Sequence, residues 1–464
     1  MSEEKKGWDA VTEADKKKIF AYNEEYKKFL NAGKTERECV SESLRLAESA
    51  GFVPLANKTS LKAGDKVYVV NKNKAVALFV IGSEPIVNGI NIIGAHIDAP
   101  RLDLKQHPLF EDTNMAYLKT HYYGGIKKYQ WTSTPLAIHG VVVKKDGAAV
   151  NIVIGENDDD VTFVITDLLP HLGSEQMNKT ASRFIEGESL NLLVGSTPAG
   201  AVDAKDRFKT CVLDILREKY GIEEEDFISA EIEAVPSYKA RDLGFDRSLV
   251  ASYAHDDRSC AFPALKAILN VKKCNRTAMC LLVDKEETGS AGTTGARSAF
   301  MRYATAMVME KCAVNATSAA LLGCFDRSMC LSADVVVAFD PSYASCFEKN
   351  NTALLGGGIA VMKYGGSGGK YGTNDASAEM LANMRKLFED NLITWQTGEM
   401  GKVDCGGGGT IAQYVADYGV ETLDCGVPVL SMHATYEIVS KFDTYMTLRA
   451  FEAFYKKGVL YEDR

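Results

Sequence analysis

Two adjacent glutamates follow an apolar stretch near the middle of the chain. The run TAMCLLV ends at Val283, and the segment DKEETGS then carries Glu286 and Glu287. Two neighbouring carboxylates repel each other, so they either lie in water or face a cation. An acidic turn in solvent is the ordinary interpretation, and the motif alone leaves both interpretations open.

Other ionisable residues stand at the ends of predicted strands. They are His96 and Asp98 after INIIGA, His255, Asp256 and Asp257 after LVASYA, Asp334 and Asp340 in SADVVVAFD, and His433 after PVLSM. Because ligands of open α/β sheets bind at the carboxyl ends of strands, we expect these side chains to converge. Histidine nitrogens and carboxylate oxygens are the donors of hydrolytic metal sites.

Each of these residues also has an ordinary explanation. A single histidine on an apolar stretch, such as His96 or His433, can be a hydrogen-bonded core residue. Asp256 and Asp257 can cap the following helix, and Asp334 can be a polar residue at the start of a strand. The metal-site hypothesis rests on the combination, because each ordinary explanation would have to hold separately.

The chemistry of a two-metal site assigns several roles. Two divalent ions about 3.5–4 Å apart need a bridging carboxylate and terminal ligands on each side, and they lower the pKa of bound water toward about 7. A further carboxylate that is not a ligand must take and return the proton. At an irregular strand end, Glu286 and Glu287 can therefore have different functions.

The elements that must position these residues change in type along the chain. The first sixty residues look helical, and residues 101–242 read as antiparallel strands with one amphipathic helix. From about residue 243, short apolar strands alternate with helices. We predict an α/β domain of residues 1–100 and 243–464, with a parallel-type sheet covered by helices on both faces, interrupted by a β-rich insertion at residues 101–242.

The bulk composition excludes several classes of protein. The 464 residues are 46% hydrophobic and 25% charged, as in soluble globular proteins, and the net charge of −9 argues against nucleic-acid binding. The N-terminus is too polar for a signal peptide, and no apolar stretch approaches the roughly 18–20 residues that cross a bilayer, so no membrane contact is expected. Eleven cysteines without a CxxC pair indicate reduced thiols and a cytoplasmic location.

Five motifs in this order and spacing resemble the aspartyl aminopeptidases. They are GAHIDAP, HDDRSC, DKEETGS, SADVVVAFDPSY and LSMHATYE, supported by HYYGGIKKYQW, LLPHLG, GGGIAVMKYGGSGGKYGTN and DCGGGGTIAQYVADYG. The resemblance covers nearly the whole chain and points to a bacterial branch of these cocatalytic two-zinc exopeptidases. It implies a mixed-sheet zinc-peptidase domain with helices on both faces, interrupted by a β-rich inserted domain for dimerisation and substrate access.

The resemblance assigns metal ligands by position. His96 and Asp334 would hold one ion, Glu287 and His433 would hold the other, and Asp256 would bridge the two. The expected ions are two Zn²⁺ per subunit, with Co²⁺ or Mn²⁺ as alternatives for such donors.

The resemblance also implies roles beside the metals. Glu286 would be the general base that activates the shared water. Asp98 would orient the ring of His96. The peptide bond between Asp256 and Asp257 is expected to be cis.

The family removes N-terminal Asp or Glu from peptides, so a cation must meet the substrate carboxylate. Lys363 matches the family lysine proposed for this role, and Lys370 and Tyr371 are further candidates nearby. His171 matches a family histidine of the inserted domain that reaches a neighbouring subunit's active site. Asp340 stands where eukaryotic members carry a histidine, and a carboxylate there would disfavour an acidic substrate side chain.

Three functions follow as hypotheses. The first is a metallo-aminopeptidase acting on peptides with acidic N-termini. The second is the same fold and metals with neutral or broad specificity, which Asp340 motivates. The third is a non-catalytic metal-binding assembly protein, against which the intact Glu286 argues. The resemblance further implies a homo-oligomer, a dodecamer built from dimers.

Overall fold

The computed structural model describes residues 7–458, and these contain eleven α-helices. The helices are α1 Glu13–Ala32, α2 Glu36–Ser49, α3 Ser174–Met177, α4 Ala181–Phe184, α5 Arg207–Tyr220, α6 His255–Asn270, α7 Phe300–Lys311, α8 Ser318–Asp326, α9 Ala378–Asp390, α10 Ala412–Ala416 and α11 Lys441–Lys457.

The strands fall into four sheets. Strands β1 to β10 are Val53–Pro54, Lys66–Asn71, Ala75–Val80, Ile90–His96, Arg101–Asp112, Met115–Tyr123, Leu136–Val143, Ala149–Ile154, Asn191–Gly195 and Ala230–Pro236. Strands β11 to β22 are Arg241–Leu243, Leu249–Ser252, Thr277–Val283, Met329–Ala333, Val336–Val337, Ile359–Met362, Gly366–Ser367, Trp395–Thr397, Gly407–Gly408, Glu421–Gly426, Pro428–Leu430 and Glu437–Ser440.

The chain divides into two compact units. The first unit is formed by the residues up to Asp98, by Ala240–Met432 and by the residues from Glu437 on. Its main sheet has nine strands in the order β1-β2-β3-β13-β4-β14-β20-β16-β18, and a second sheet has the order β11-β12-β22-β21-β15. The second unit, Ala99–Lys239 with His433–Tyr436, contains the six-stranded sheet β8-β7-β10-β5-β6-β9.

The central strands of the nine-stranded sheet are buried on both faces. Every residue of β4 is buried, and successive side chains of a strand point to opposite faces. Ile93 and Ala95 belong to the core that includes α6 and α11, whereas Ile90 and Ile92 belong to the core that includes α7 and α8. Helices therefore cover both faces of this sheet, and the predicted α/β class is confirmed.

The sheet is mixed, as the family resemblance implied, although the strand pattern alone had suggested a parallel-type sheet. Strands β3 and β16 run antiparallel to β13 and β20, while β4, β13 and β14 are parallel. One detail differs from the sequence-based expectation, because Asp334 does not begin a strand. It follows β14, and of the stretch DVVVAFD only Val336–Val337 forms a strand. The run MCLSA was missed because Ser332 interrupts its apolar pattern.

Among residues 7–458, no helix has the length and apolar character that a membrane crossing requires.

Candidate metal centre

Three parallel strands bring their carboxyl ends to one edge of the nine-stranded sheet. His96, the last residue of β4, pairs with Val283, the last residue of β13. On the other side of β4, Gly94 pairs with Ser332 of β14. Asp334 and the two glutamates after β13 therefore follow strands that end beside His96.

His96 is buried and presents one ring nitrogen to a group of carboxylates. Its Nε2 lies 3.0 Å from Asp256 Oδ1, 3.8 Å from Asp334 Oδ1 and 3.9 Å from Glu286 Oε2. On the opposite side of the ring, Nδ1 lies 3.1 Å from the carbonyl oxygen of Asp98 and 3.3 Å from its Oδ1. With a metal ion bound, a proton on Nδ1 shared with Asp98 would leave the Nε2 lone pair for the ion, as in metal-ligating histidines.

Two overlapping sets of side chains have the spacing of a metal site. In each set the donor atoms lie within 4.8 Å of one another. The first set is His96, Asp256 and Glu287, and the second is His96, Glu286 and Asp334. Five of the residues predicted from the sequence are thus brought together within the first unit.

The directions of the pKa shifts at this edge of the sheet show that the cluster of carboxylates favours positive charge. Burial, followed by the negative charge of Asp257, raises the pKa of Asp334 well above its usual range. Burial opposes the charged form of His96, but hydrogen bonds to Asp256 and Asp98 outweigh it and raise the pKa of the imidazole. Divalent cations would compensate the carboxylates directly, so the donor set fits Zn²⁺.

Asp98 holds the turn that carries both glutamates. Its Oδ1 accepts a hydrogen bond from the Glu286 N–H at 3.2 Å, and its Oδ2 accepts one from the Glu287 N–H at 3.2 Å. Glu286–Thr288 forms a single 3₁₀ turn after Lys285, whose φ of 69° is left-handed. One buried carboxylate therefore orients His96 and fixes the backbone of both glutamates.

The segment around Asp256 is held from two sides. Its backbone N–H donates to Glu437 Oε2 at 3.0 Å, and the neighbouring Asp257 accepts a hydrogen bond from the His96 N–H at 3.3 Å. The peptide bond between Asp256 and Asp257 is cis, which confirms that expectation.

Arg258 connects this segment to the loop that follows β4. Its Nη2 donates to the carbonyl oxygens of Ile97 at 3.2 Å and Lys34 at 3.0 Å. The guanidinium lies 5.6 Å from the ring centroid of Tyr253, and the side chain is buried. Because Ile97 lies between His96 and Asp98, this arginine restrains the loop that presents the histidine.

The two predicted histidines of other segments lie in the second unit. His433 Nδ1 is 2.8 Å from the carbonyl oxygen of Gly125, and an N–H donated there would make Nε2 the nitrogen for the ligation that the resemblance implies. His171 is exposed in the 3₁₀ turn Pro170–Leu172. Ligation by His433 and the contact of His171 with a neighbouring subunit remain predictions.

The predicted specificity residue Lys363 pairs with a carboxylate of its own chain. Its Nζ lies 2.9 Å from Asp375 Oδ1, and Lys370 binds Asp375 Oδ2 at 2.7 Å. Tyr371 is 79% exposed. Asp340 caps the 3₁₀ turn Pro341–Cys346 by accepting a hydrogen bond from Ser342 N at 2.9 Å.

The sheet register places Lys363 away from the edge that carries Asp334. Strand β14 runs parallel to β20, whereas β16 runs antiparallel to it. Met362 pairs with Asp424, which pairs with Ser332, so the chains continue to Lys363 and to Asp334 in opposite directions. The offset along the strands is about 10 Å.

Sequence reasoning overlooked Arg258 and Glu437 as parts of this site. Each left a signal in the sequence. Arg258 stands directly before the largely apolar stretch SCAFPAL, and Glu437 directly before the apolar pair Ile438 and Val439. Both residues are buried. A charge inside an apolar pattern is costly without a partner, so it marks a position that other groups must satisfy.

The fold and this cluster together define a class of protein. Histidine and carboxylate donors at the carboxyl edge of an α/β sheet are the equipment of a metal-dependent hydrolase. The chain belongs to the aminopeptidase I zinc metalloprotease family (M18), whose model matches residues 29–455. It is a zinc metallo-aminopeptidase, which confirms the predicted family and enzyme class.

Relatives of known sequence and structure extend over nearly the whole chain. The chain is 50% identical over 458 residues to a probable M18 family aminopeptidase 1 of Clostridium acetobutylicum, covering 98% of both. The crystal structure of an M18 aminopeptidase from Thermotoga maritima matches with a TM-score of 0.95 at 42% identity, over 98% of this chain and 100% of that one. A dodecamer of S. cerevesiae mApe1 shares the fold with a TM-score of 0.74 at 19% identity, over 94% of this chain and 97% of that one.

Proposed function

We propose that this enzyme removes the N-terminal residue of peptides at a centre of two divalent metal ions. The observation that carries the proposal is the position of His96 Nε2 within 4 Å of oxygens of Asp256, Asp334 and Glu286. A buried imidazole that faces three carboxylates supplies the nitrogen and oxygen donors of a metal centre, and divalent cations would balance the charge of the carboxylates.

The ligands of each ion follow from the two sets of donors and from the family resemblance. His96, Asp256 and Asp334 would hold one ion, and Asp256, Glu287 and His433 would hold the other. Zinc supplies Lewis acidity, which polarises a peptide carbonyl and lowers the pKa of water.

In this proposal Glu286 moves the proton. Its carboxylate reaches the same edge as the ligands, and its side chain stays 17% exposed, so it remains accessible to water. The carboxylate takes a proton from the attacking water and returns it to the leaving amine, which is the role of a general base and then a general acid. Asp98 keeps this carboxylate in place through the backbone N–H of Glu286.

We assign the enzyme a preference for N-terminal Asp or Glu. Two ammonium groups, those of Lys363 and Lys370, share the single carboxylate of Asp375, so the cluster of three residues carries a net positive charge. A substrate carboxylate could replace Asp375 at Lys363, because all three groups are between 43% and 47% exposed in their side chains.

Neutral or broad specificity is the second candidate, and two observations favour it. The ammonium group of Lys363 already pairs with Asp375 at 2.9 Å. The strand pairing also places Lys363 and Asp334 at different heights along the sheet. If substrates do not reach Lys363, no cation of this cluster would select acidic residues.

A substrate panel separates the two candidates. Release of p-nitroaniline from Asp, Glu, Leu and Lys derivatives is measured for the wild type and for Lys363→Ala, with Lys349→Ala as an exposed lysine control. The acidic preference predicts a higher kcat/KM for Asp than for Leu and a loss of about tenfold for Asp substrates alone in Lys363→Ala. A higher kcat/KM for Leu, unchanged by Lys363→Ala, would establish neutral specificity instead.

Metal removal tests the proposed mechanism independently of specificity. Dialysis against a chelator is expected to abolish hydrolysis of every substrate in the panel, and added Zn²⁺, Co²⁺ or Mn²⁺ is expected to restore it. Activity that persists in protein shown to be metal-free would refute the mechanism and leave the substrate question open.

A further inference from the structure

An apolar cavity of about 490 Å³ lies in the second unit, and the metal centre makes no use of it. Strands of the six-stranded sheet form one wall and helix α5 forms another. Residues that line it include Leu118, Ile138, Ile152, Ile232, Ile215 and Leu216. This volume is in the range of pockets that bind small molecules.

The side chains of helix α5 do not fill this cavity. No residue of α5 is buried, although its apolar residues recur at helical spacing, and Ile215 is 45% exposed. On the opposite wall, Ile152 and Ile232 are only 3% and 5% exposed. The sheet side of the cavity is therefore a packed core surface, and the helix side is loosely packed.

Water is a poor occupant of this cavity. An ordered water needs two to four polar partners, and most of the surface that lines the cavity is apolar. Thr162, one of the few polar lining residues, already donates its hydroxyl to the carbonyl oxygen of Leu136 at 3.2 Å. An occupant with a hydrocarbon chain satisfies these walls, because it removes apolar surface from water on both sides.

The cavity has a cationic side where α5 ends. Lys219 and Tyr220, in the last turn of α5, belong to its lining. Among residues 7–458, Lys219 is the one charged residue that lines the cavity, and its sequence neighbour Glu218 is not part of the lining. Lys144 approaches the same end and donates to the carbonyl oxygen of Gly221. An anionic headgroup would complement this side of the cavity.

We propose that the second unit binds an anionic amphiphile with a single alkyl chain. The chain lies between α5 and the sheet, and the carboxylate headgroup pairs with Lys219. This site is separate from peptide hydrolysis, and it does not depend on the number of metal ions or on the substrate preference.

Calorimetric titration of the full-length protein tests the proposal with three probes below their micelle concentrations. The probes are dodecanoate, dodecanol and dodecyltrimethylammonium, which share the chain and differ in headgroup charge. Dodecanoate is expected to bind once per subunit and about tenfold more tightly than dodecyltrimethylammonium. Equal affinities of the anionic and cationic probes would overturn the role of Lys219.

Two pairs of variants locate the site. Ile215→Trp places an indole in the cavity and is expected to weaken dodecanoate binding at least about tenfold, whereas Ile228→Trp, at a residue 50% exposed and outside the lining, should not. Lys219→Glu is expected to weaken dodecanoate but not dodecanol, and Lys205→Glu should weaken neither. Hydrolysis of peptide substrates should stay within about twofold of the wild type in all four variants.

Two results would refute the proposal. One is dodecanoate binding that Ile215→Trp leaves unchanged, which would place the ligand elsewhere. The other is a loss of subunit association in Ile215→Trp, seen by light scattering, without any dodecanoate binding to the wild type. That result would show that a second copy of the chain covers the cavity.

Discussion

At the scale of single residues, the centre depends on the direction of one imidazole. Nδ1 of His96 hydrogen-bonds to the carbonyl oxygen of Asp98, and Nε2 faces the carboxylate oxygens of Asp256 and Asp334. If the ring were turned over, the nitrogen that carries the proton would face the carboxylates, and no lone pair would remain for a metal. The tautomer is therefore set by a residue that is not itself in either set of donors.

The two glutamates differ although they are neighbours in sequence. Glu287 joins the set with His96 and Asp256, whereas Glu286 joins the set with His96 and Asp334. A strand would send adjacent side chains to opposite faces, but the 3₁₀ turn after β13 lets both reach the same edge. The hydrogen bonds that the two backbone N–H groups donate to Asp98 keep this turn in place.

A change at Asp98 tests this positioning role. Asp98→Asn replaces one acceptor oxygen by an NH₂ donor that faces a backbone N–H, so the turn and the His96 ring lose one of their restraints. The affinity for Zn²⁺ is expected to fall about 10–100-fold, measured by competition with a chromophoric chelator. The matched change Asp326→Asn, at an exposed residue, should leave the affinity unaltered. Unaltered zinc affinity in Asp98→Asn would contradict the role.

At the scale of elements, the sequence indicated the sheet edge because parallel strands leave a repeated pattern. Apolar runs that end in His96 or in the DKEETGS segment identify both strand and site, since each run is buried on both faces. The β14 strand was missed because Ser332 and Ala333 weaken its apolar character, so Asp334 was placed at the start of a strand instead of after one.

Long-range hydrogen bonds were beyond the reach of the sequence. Arg258 contacts Lys34 across 224 positions, and Asp256 contacts Glu437 across 181. Periodicity reports which face of a helix or strand is buried, but it carries no information on which distant carbonyl a buried cation meets. The motifs could therefore suggest the ligands and the nearby Asp98, but not the contacts through which Arg258 and Glu437 hold these segments.

A buried polar contact joins the strands next to the centre. Asp424 of β20 accepts a hydrogen bond from the Thr410 hydroxyl at 2.6 Å, and Thr410 also lies 3.3 Å from the hydroxyl of Ser332 in β14. Burial raises the pKa of Asp424 to about 6. The folded state therefore keeps this proton to a higher pH than the unfolded chain, whose carboxyl ionises near 4.

The folded pKa of Asp424 lies above its unfolded value. The contribution of this carboxyl group to the free energy of unfolding is therefore largest below about pH 4, and it falls by roughly 3 kcal/mol as the pH rises to about 6. Asp424→Asn cannot ionise and should lack this decline. Urea unfolding at pH 4, 5, 6 and 7 measures the difference between the two proteins.

The same series on Asp417→Asn provides the control, because Asp417 is exposed. A difference between wild type and Asp424→Asn that stays constant from pH 4 to 7 would show that Asp424 does not hold its proton in the folded state.

At the scale of the whole molecule, the residues that the family resemblance assigns to the site are divided between the two units. His96, Asp256, Glu286, Glu287 and Asp334 belong to the first unit, whereas His433 belongs to the second. His171 also belongs to the second unit, where it is exposed. The proposed role of His171 requires a neighbouring subunit, so assembly and activity are expected to be linked.

Assembly is tested by mass. We expect light scattering after gel filtration to give about 600 kDa, the mass of twelve chains of 50.6 kDa. His171→Ala is expected to lower kcat while the mass stays unchanged, because the side chain is exposed within its own chain. A mass near that of one chain in the wild type would refute the assembly and, with it, the role of His171.

The central claim is that Glu286 moves the proton while Glu287 binds metal, and paired variants test it most directly. Zinc content and kcat are measured for Glu286→Gln and Glu287→Gln purified in the same way. Glu286→Gln is expected to keep the zinc of the wild type and to lose about 10²–10⁴-fold in kcat, because only the base is removed. Glu287→Gln is expected to lose zinc. Loss of zinc in Glu286→Gln, with Glu287→Gln fully loaded, would contradict the assignment and exchange the two roles.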